Sequence, residues 1–272
     1  MPDLDEWDEA LVAGPADGAD DASDKKTKPK FPSVERWVTD WFAPMVTQRL
    51  NQRHCWCPQW WQHAEGILRL EALWRSWEHL HRDPTTGLSV WLRDHRDPHL
   101  GFLLDQSVSP FVNCSLRDGH RQAPAPLKVL PVPVGWEHPD AALHAVDEDD
   151  EDTADEPKPQ FPDVQSWVTN WLSQVVTQRP ERDTAWCPSW WEHLEGVRRL
   201  DALWRSWEHL RLDGTTGMSV WLRDHRDPHL GFLLDRSVSP FVHCSPEEGH
   251  SAPPASLPVE QSPADWWSTG DE

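Results

Sequence analysis

Tyrosine is absent from all 272 residues, and lysine is missing from positions 31–120 and again from 161–250. These stretches carry positive charge on arginine and aromatic bulk on tryptophan, of which the chain has 20. The bias points to a GC-rich coding sequence. No apolar run approaches the ~20 residues that span a bilayer, so no membrane insertion is expected. The opening MPDLDEWDEALVAG lacks the basic start and apolar core of a secretion signal. Cysteine is scarce and odd in number, at five, which argues against a disulfide scaffold and for a reducing cytoplasm.

Charge is abundant but uneven. The net charge is −21, yet residues 31–120 hold nine arginines against ten acids, and residues 161–250 nine against thirteen. Most of the negative charge therefore lies in the connecting segments. Two nearly neutral, Trp-rich domains are expected on acidic, solvated connectors.

The domains are copies. At an offset of 130, residues 31–115 and 161–245 agree at 59 of 85 positions, the mark of a tandem duplication. The expected layout is a disordered acidic arm (1–27), a first repeat (28–120), a Pro-rich and acidic linker (121–157), a second repeat (158–250) and a disordered tail (251–272). The arm carries Trp7, Leu11 and Val12, as a docking peptide would, although a solubilising role explains its composition as well. In the linker, APAPLKVLPVPV should be extended and DEDDEDTADE self-repelling, which would hold the repeats apart. The tail ends in Asp265-Trp266-Trp267, a peptide motif or a patch that folds back.

Within each repeat the pattern is helical. Ser33 or Asp163 should cap a first helix with Trp37, Val38, Trp41 and Phe42 on one face; Pro44 should kink or shorten it in the first copy only. The main helix is expected from Pro58 to Leu80, with His63, Ile67, Leu70, Leu73, Trp74, Trp77 and Leu80 on the buried face and Glu71 and Arg75 paired outside. The segment SVWLRDHRDPHLGFLLD, identical at 89–105 and 219–235, reads as two short helices entered at Ser89 and Asp97-Pro98. A short β-hairpin is the other reading. The fold class is mainly α: two tandem small helical domains.

The duplication also points to a site. The loop before the main helix changed almost throughout, yet Trp56, Cys57 and Pro58 reappear as Trp186, Cys187 and Pro188; near the end of the repeat, Cys114, Gly119 and His120 stay as Cys244, Gly249 and His250, and on the main helix His63 is matched by His193. Cys55 became Ala185, so it serves no function common to both copies. Two cysteines and two histidines per repeat have the composition of a Cys₂His₂ zinc site, which closes a small domain. The spacing departs from the common zinc patterns, and His95 and His99 compete as ligands. Four ordinary core residues would be the plain alternative, since free cysteine packs as a small hydrophobe.

Catalysis finds less support. Cys57 and His63 on one helix would stand nearly two turns apart, and Cys114 with His95 or His99 lacks an orienting residue or an oxyanion-hole glycine pattern. The acids of DHRDPH read as a solvated turn more readily than as a metal site. Arginine among tryptophans could grip a single strand, but the negative charge of repeats and connectors disfavours phosphate.

Taken together, W-C-P-x-W-W-x-H-x-E-G-x-x-R-L-x-A-L-W-R-S-W-E, G-[LM]-S-V-W-L-R-D-H-R-D-P-H-L, P-F-x-x-C-S and G-H resemble domain-of-unknown-function family 4913 over about two-thirds of the chain. The resemblance implies a cytoplasmic actinobacterial accessory protein tied to mobile DNA, and it carries over no catalytic residue. The expected function is a non-enzymatic binding module, bivalent through duplication, with a protein partner and structural zinc. A nucleic-acid accessory role and a metal- or cysteine-dependent hydrolase are the alternatives.

Overall fold

Ser33 and Asp163 cap the first helix of each repeat as expected: Ser33 Oγ accepts from the Arg36 N–H at 3.3 Å and Asp163 Oδ1 from the Ser166 N–H at 2.7 Å. The computed structural model describes residues 28–46, 54–115, 117–122, 125–141, 157–176, 184–256, 258 and 260. The described residues from Phe31 onward form one compact unit, distinct from residues 28–30.

Helix α1 comprises Val34–Trp37, a wide π turn Val38–Phe42 and Ala43–Met45; its counterpart α4 comprises Val164–Trp167, Val168–Leu172 and Ser173–Val175. Pro44 therefore neither shortens nor singles out the first copy. The π turn occurs with Gln174 as well, and its wider spacing puts Trp37, Trp41 and Phe42 on one side. Trp37 stacks on both, with ring centroids 5.8 and 4.8 Å apart.

The main helix is α2, Ala64–Leu80, matched by α5, Leu194–Leu210. It begins later than the sequence suggests. Pro58 lies in a turn, Trp60–Gln62 form a short 3-10 turn, and His63 is extended at φ −120° and ψ 111°. Beyond that break the expected face holds: Leu70, Leu73 and Trp77 are buried against Trp37 and Trp91. The indole of Trp91 donates to Leu73 O at 3.1 Å and Ser76 Oγ at 3.2 Å, which fixes the next helix on α2. Glu78, also buried, accepts the Phe31 N–H at 2.9 Å and so ties down the start of the repeat.

That next helix, α3, runs without interruption through Gly87–Val90, a π turn Trp91–Arg96 and Asp97–Leu104; α6 does the same through Gly217–Val220, Trp221–Arg226 and Asp227–Leu234. The segment is helical, so the hairpin reading does not hold, and one continuous helix replaces the two expected. The π turn carries the helix into Pro98: the Asp97 N–H reaches back to Leu92 O. Pro98 has no N–H for the carbonyl of Asp94, four residues earlier. Arg223 of the second repeat donates to that carbonyl instead. Among the described residues only isolated β-bridges occur, His54 with Asp105 and Ser115 with Gly119, repeated at Thr184–Asp235 and Ser245–Gly249.

The repeats are packed together, which corrects the expectation that the linker holds them apart. A second strip of α2, with Leu68 and Ala72, joins the hydrophobic core of the second repeat. The described part of the Pro-rich stretch lies on that repeat and does not act as a spacer. The Leu127 N–H serves Ser173 O and Val176 O, both at 3.1 Å, at the carboxyl end of α4. Trp186 Nε1 donates to Lys128 O at 2.7 Å, and Trp136 packs on Trp190 at 6.2 Å. The acidic run 147–156, the arm 1–27 and the Trp266-Trp267 pair lie outside the described residues. No helix among the described residues is long and apolar enough to cross a membrane.

Candidate metal centres

The segment before α2 is held by its backbone. The Cys55 N–H donates to Leu104 O at 2.9 Å and, in the second copy, the Ala185 N–H to Leu234 O at 3.0 Å, pinning each loop to the carboxyl end of the later helix, α3 or α6. Cys57 then follows within two residues. The break in helix at His63 turns its ring toward Cys57 rather than along α2. Cys57 and His63 would be far apart on one continuous helix; in the folded chain they share a site.

The other two side chains come from the end of the repeat. The Cys114 N–H bonds Phe111 O at 2.7 Å, and a tight reversal from Ser115 to Gly119 follows. Gly119 has φ +76° and Gly249 φ +86°, a left-handed backbone that glycine adopts without a Cβ penalty. The reversal brings His120 back over Cys114. Gly66 has a separate steric role: a Cβ there would stand 2.7 Å from the Phe111 ring, whose edge-on contact at 5.0 Å supports His63.

The structure thus gathers Cys57, His63, Cys114 and His120, and separately Cys187, His193, Cys244 and His250, each set with its four ligand atoms within 4.8 Å of one another. In the first set, His63 Nε2 is 3.4 Å from Cys114 Sγ and 3.2 Å from His120 Nδ1, and His120 Nδ1 is 3.4 and 4.0 Å from Cys57 and Cys114 Sγ. In the second set His193 Nε2 and His250 Nδ1 are 3.2 Å apart, with Cys244 Sγ 3.4 Å from the former and Cys187 Sγ 3.5 Å from the latter. Zinc bonds of about 2.0 Å to nitrogen and 2.3 Å to sulfur give tetrahedral edges of about 3.3–3.8 Å. Six of the quoted separations, at 3.2–3.5 Å, lie close to those edges and one, Cys114 Sγ to His120 Nδ1, is wider at 4.0 Å; the donors are of the kinds that zinc takes. Three members of each set are buried, and the fourth, His120 or His250, lies toward the surface.

Burial shapes the titration of the clusters. Burial, reinforced by the Cys114 thiol, pushes the Cys57 thiol up to about 11; burial and Cys244 push Cys187 up to about 12. Burial and the adjacent imidazole push His63 and His193 down. A dication would reverse the penalty on the thiolates. Backbone donors already point at sulfur: the Arg121 N–H at 3.3 Å from Cys114 Sγ and the Ser251 N–H at 3.2 Å from Cys244 Sγ. The buried Nδ1 of His63 and of His193 faces a proline carbonyl, Pro110 or Pro240, without closing a full hydrogen bond, which leaves Nε2 for the cluster.

The competing ligands are elsewhere. His95 Nδ1 lies 2.7 Å from Ser219 Oγ, and His99 Nε2 2.8 Å from the same oxygen, so both belong to the contact between repeats. Cys55 is buried, with its thiol 3.9 Å from Leu104 O, outside the cluster. The acids of DHRDPH are helical, and in the second copy Asp227 binds Arg69 instead of forming a solvated turn.

The family described as Domain of unknown function (DUF4913) matches residues 31–133 and 161–263. The chain belongs to it. Both DUF4913 stretches contain all four members of a cluster and run on past His120 and His250. In the first stretch that extension includes the segment of Leu127 and Lys128 laid on the second repeat. No curated protein and no solved structure matches the chain.

Proposed function

We propose that this tandem DUF4913 chain is a non-enzymatic docking module, each repeat closed by a structural zinc ion, with a protein as its partner. The observation that carries the reading is the pair of Cys₂His₂ clusters, each with its four ligand atoms within 4.8 Å of one another. Four protein ligands leave no open position, the arrangement of structural rather than catalytic zinc. When bound, the ion would cross-link the loop before α2 to the end of the repeat. The five free cysteines suit a reducing compartment such as the cytoplasm.

The partner surface is the cleft that duplication creates. A cavity of about 570 Å³ opens between the repeats, lined by Glu71 and Arg75 of α2 and by Trp171, Trp207, Arg211 and Met218 of the second repeat. Charges of both signs around indoles suit a protein surface better than a phosphate backbone. Duplication acts here by building one site between two packed copies, not by presenting two independent ones.

Elemental analysis of the untagged chain tests the metal. Two zinc ions per chain are expected, falling to one in Cys57→Ser; a well-folded chain without metal would sink the reading. A photo-crosslinking residue in place of Arg75 tests the partner. A protein adduct lost in Met218→Arg supports the assignment, whereas a nucleic-acid adduct would overturn it.

A further inference from the structure

The contact between repeats joins two different faces. The first repeat contributes a receiving face on α2 and α3: Glu65, Arg69, His95, His99 and Phe102. The second contributes the elbow of α6, from Ser219 to Asp227. Arg69 holds Asp227, Glu65 meets Arg226 at 2.6 Å, and Ser219 sits between the two histidines. Such a contact is heterologous, and each repeat has the face that the other one uses. The elbow sequence is identical at 89–97 and 219–227, and the receiving residues recur as Glu195, Arg199, His225, His229 and Phe232.

The second set of faces is formed but uncovered. Arg199 lies over the Phe232 ring at 3.6 Å, as Arg69 lies over Phe102 at 3.5 Å, and Arg199 pairs with Glu195 at 2.9 Å as Arg69 does with Glu65 at 3.1 Å. The elbow is equally preset: Arg96 pairs with Asp97 at 2.6 Å, as Arg226 does with Asp227 at 2.8 Å. Exposure separates the used faces from the free ones. The side chain of Glu65 is 3% exposed and that of Glu195 53%; the side chain of Asp227 is 26% exposed and that of Asp97 58%. Ser219 is buried and Ser89 exposed. His229 Nδ1 is buried without a partner, whereas His99 Nδ1 has Arg69 at 3.3 Å.

We propose that the chain self-associates head to tail, with the uncovered elbow side chains Ser89, Arg96 and Asp97 of one copy seated on the receiving face of Glu195, Arg199, His225, His229 and Phe232 of a second copy. The partner is fixed by continuity: the same sequence already fills the same constellation within the chain. One position makes the new joint weaker than the internal one. Leu68, packed in the internal contact, is replaced by Arg198, which Asp140 holds at 2.8 Å. Association therefore depends on concentration and closes into rings or extends into filaments according to the rotation between copies.

Sedimentation equilibrium on the full chain tests the proposal. The weight-average mass should rise above 31.4 kDa as concentration increases toward the high micromolar range. Ser89→Arg blocks the free elbow, and Arg199→Glu blocks the free receiving face; both residues lie outside the internal contact and the metal clusters. Each variant alone should remain monomeric, and an equimolar mixture should form a heterodimer, because each retains the face the other lacks. Asp97→Lys provides a second elbow variant, and unchanged near-ultraviolet tryptophan dichroism verifies the fold. A wild-type chain that stays monomeric, a Ser89→Arg chain that associates like wild type, or a mixture that remains monomeric would each overturn the proposal.

Discussion

Arg69 and Asp227, 158 positions apart, form a two-pronged ion pair, Nη2 to Oδ1 at 2.5 Å and Nη1 to Oδ2 at 3.1 Å, with the arginine side chain fully buried. Two like repeats are joined by a contact that neither makes within itself. The pair is part of a set: Glu65 bonds Arg69 at 3.1 Å and Arg226 at 2.6 Å, and the Arg69 guanidinium rests on Phe102. A buried charge in this setting is tolerated because every partner is present.

Removing one partner should therefore cost far more here than in the mirror copy. Asp227→Ala leaves Arg69 buried without its main counter-charge, an expected loss of about 3–5 kcal/mol. Asp97→Ala removes an exposed surface pair, with an expected effect within about 1 kcal/mol. Urea denaturation of the two variants checks this, and equal losses would contradict the asymmetric contact.

The directions of the hydrogen bonds at Ser219 define a dependence on pH. Arg69 can only donate, so His99 Nδ1 accepts and Nε2 carries the proton toward Ser219. The hydroxyl of Ser219 then donates to His95 Nδ1. Both imidazoles are neutral. Burial, with Arg69 and His95 opposing Asp227, holds His99 down at about 3; burial, with Arg223 opposing Asp94 and Asp224, holds His95 down at about 4. Since the folded values lie below the ordinary 6.5, the unfolded chain takes up protons first. The stabilisation is complete above about pH 6.5 and is lost as pH falls toward 4, by about 1.4 kcal/mol per pH unit for each histidine. Thermal unfolding of wild type and of the His95→Gln/His99→Gln double variant between pH 7 and 4.5 measures the difference, and the double variant should have the shallower slope.

The metal clusters separate two kinds of buried cysteine. Cys55→Ala installs the residue found at position 185 and should leave zinc content and stability nearly unchanged. Cys57→Ser should lose one zinc and destabilise the first repeat by several kcal/mol, because the bound ion contributes to folding. Zinc analysis with melting curves before and after a chelator would show this contrast. A chelator without effect on the melting of wild type would remove the metal from the account.

The cluster was legible in the sequence because two copies exist. Between them the loop RLNQRHC became RPERDTA while Cys57 kept its place as Cys187, and CSLRDGH became CSPEEGH while Cys114 and His120 stayed as Cys244 and His250. The same comparison is blind to the contact between repeats. Glu65, Arg69, Ser89 and Asp97 are matched residue for residue in the second copy, and nothing in the identical letters tells which copy buries them. Prolines misled in the other direction. Pro44 and Pro98 are carried by π turns that widen the helix ahead of the missing N–H, and Pro58 marks a turn rather than the first residue of α2. Buried Glu78, which holds the start of the repeat, reads in the sequence as one more charged surface residue.

The sharpest steric prediction concerns the joint between α2 and α3. Gly87 begins α3 where the chain doubles back against the carboxyl end of α2, and an added Cβ would stand 1.9 Å from the backbone oxygen of Leu80. Backbone cannot yield as a flexible side chain can, so Gly87→Ala must separate the two helices. That separation would strain the Trp91 hydrogen bond to Leu73 O, which fixes α3 on α2. The expected loss is about 3 kcal/mol. Gly101→Ala provides the control on the same helix, since nothing lies within 4 Å of a Cβ there and alanine favours helix over glycine. Melting temperatures should fall for Gly87→Ala and hold or rise for Gly101→Ala. The same substitution at Gly217, where a Cβ would stand 1.9 Å from Leu210 O, should reproduce the loss in the second repeat.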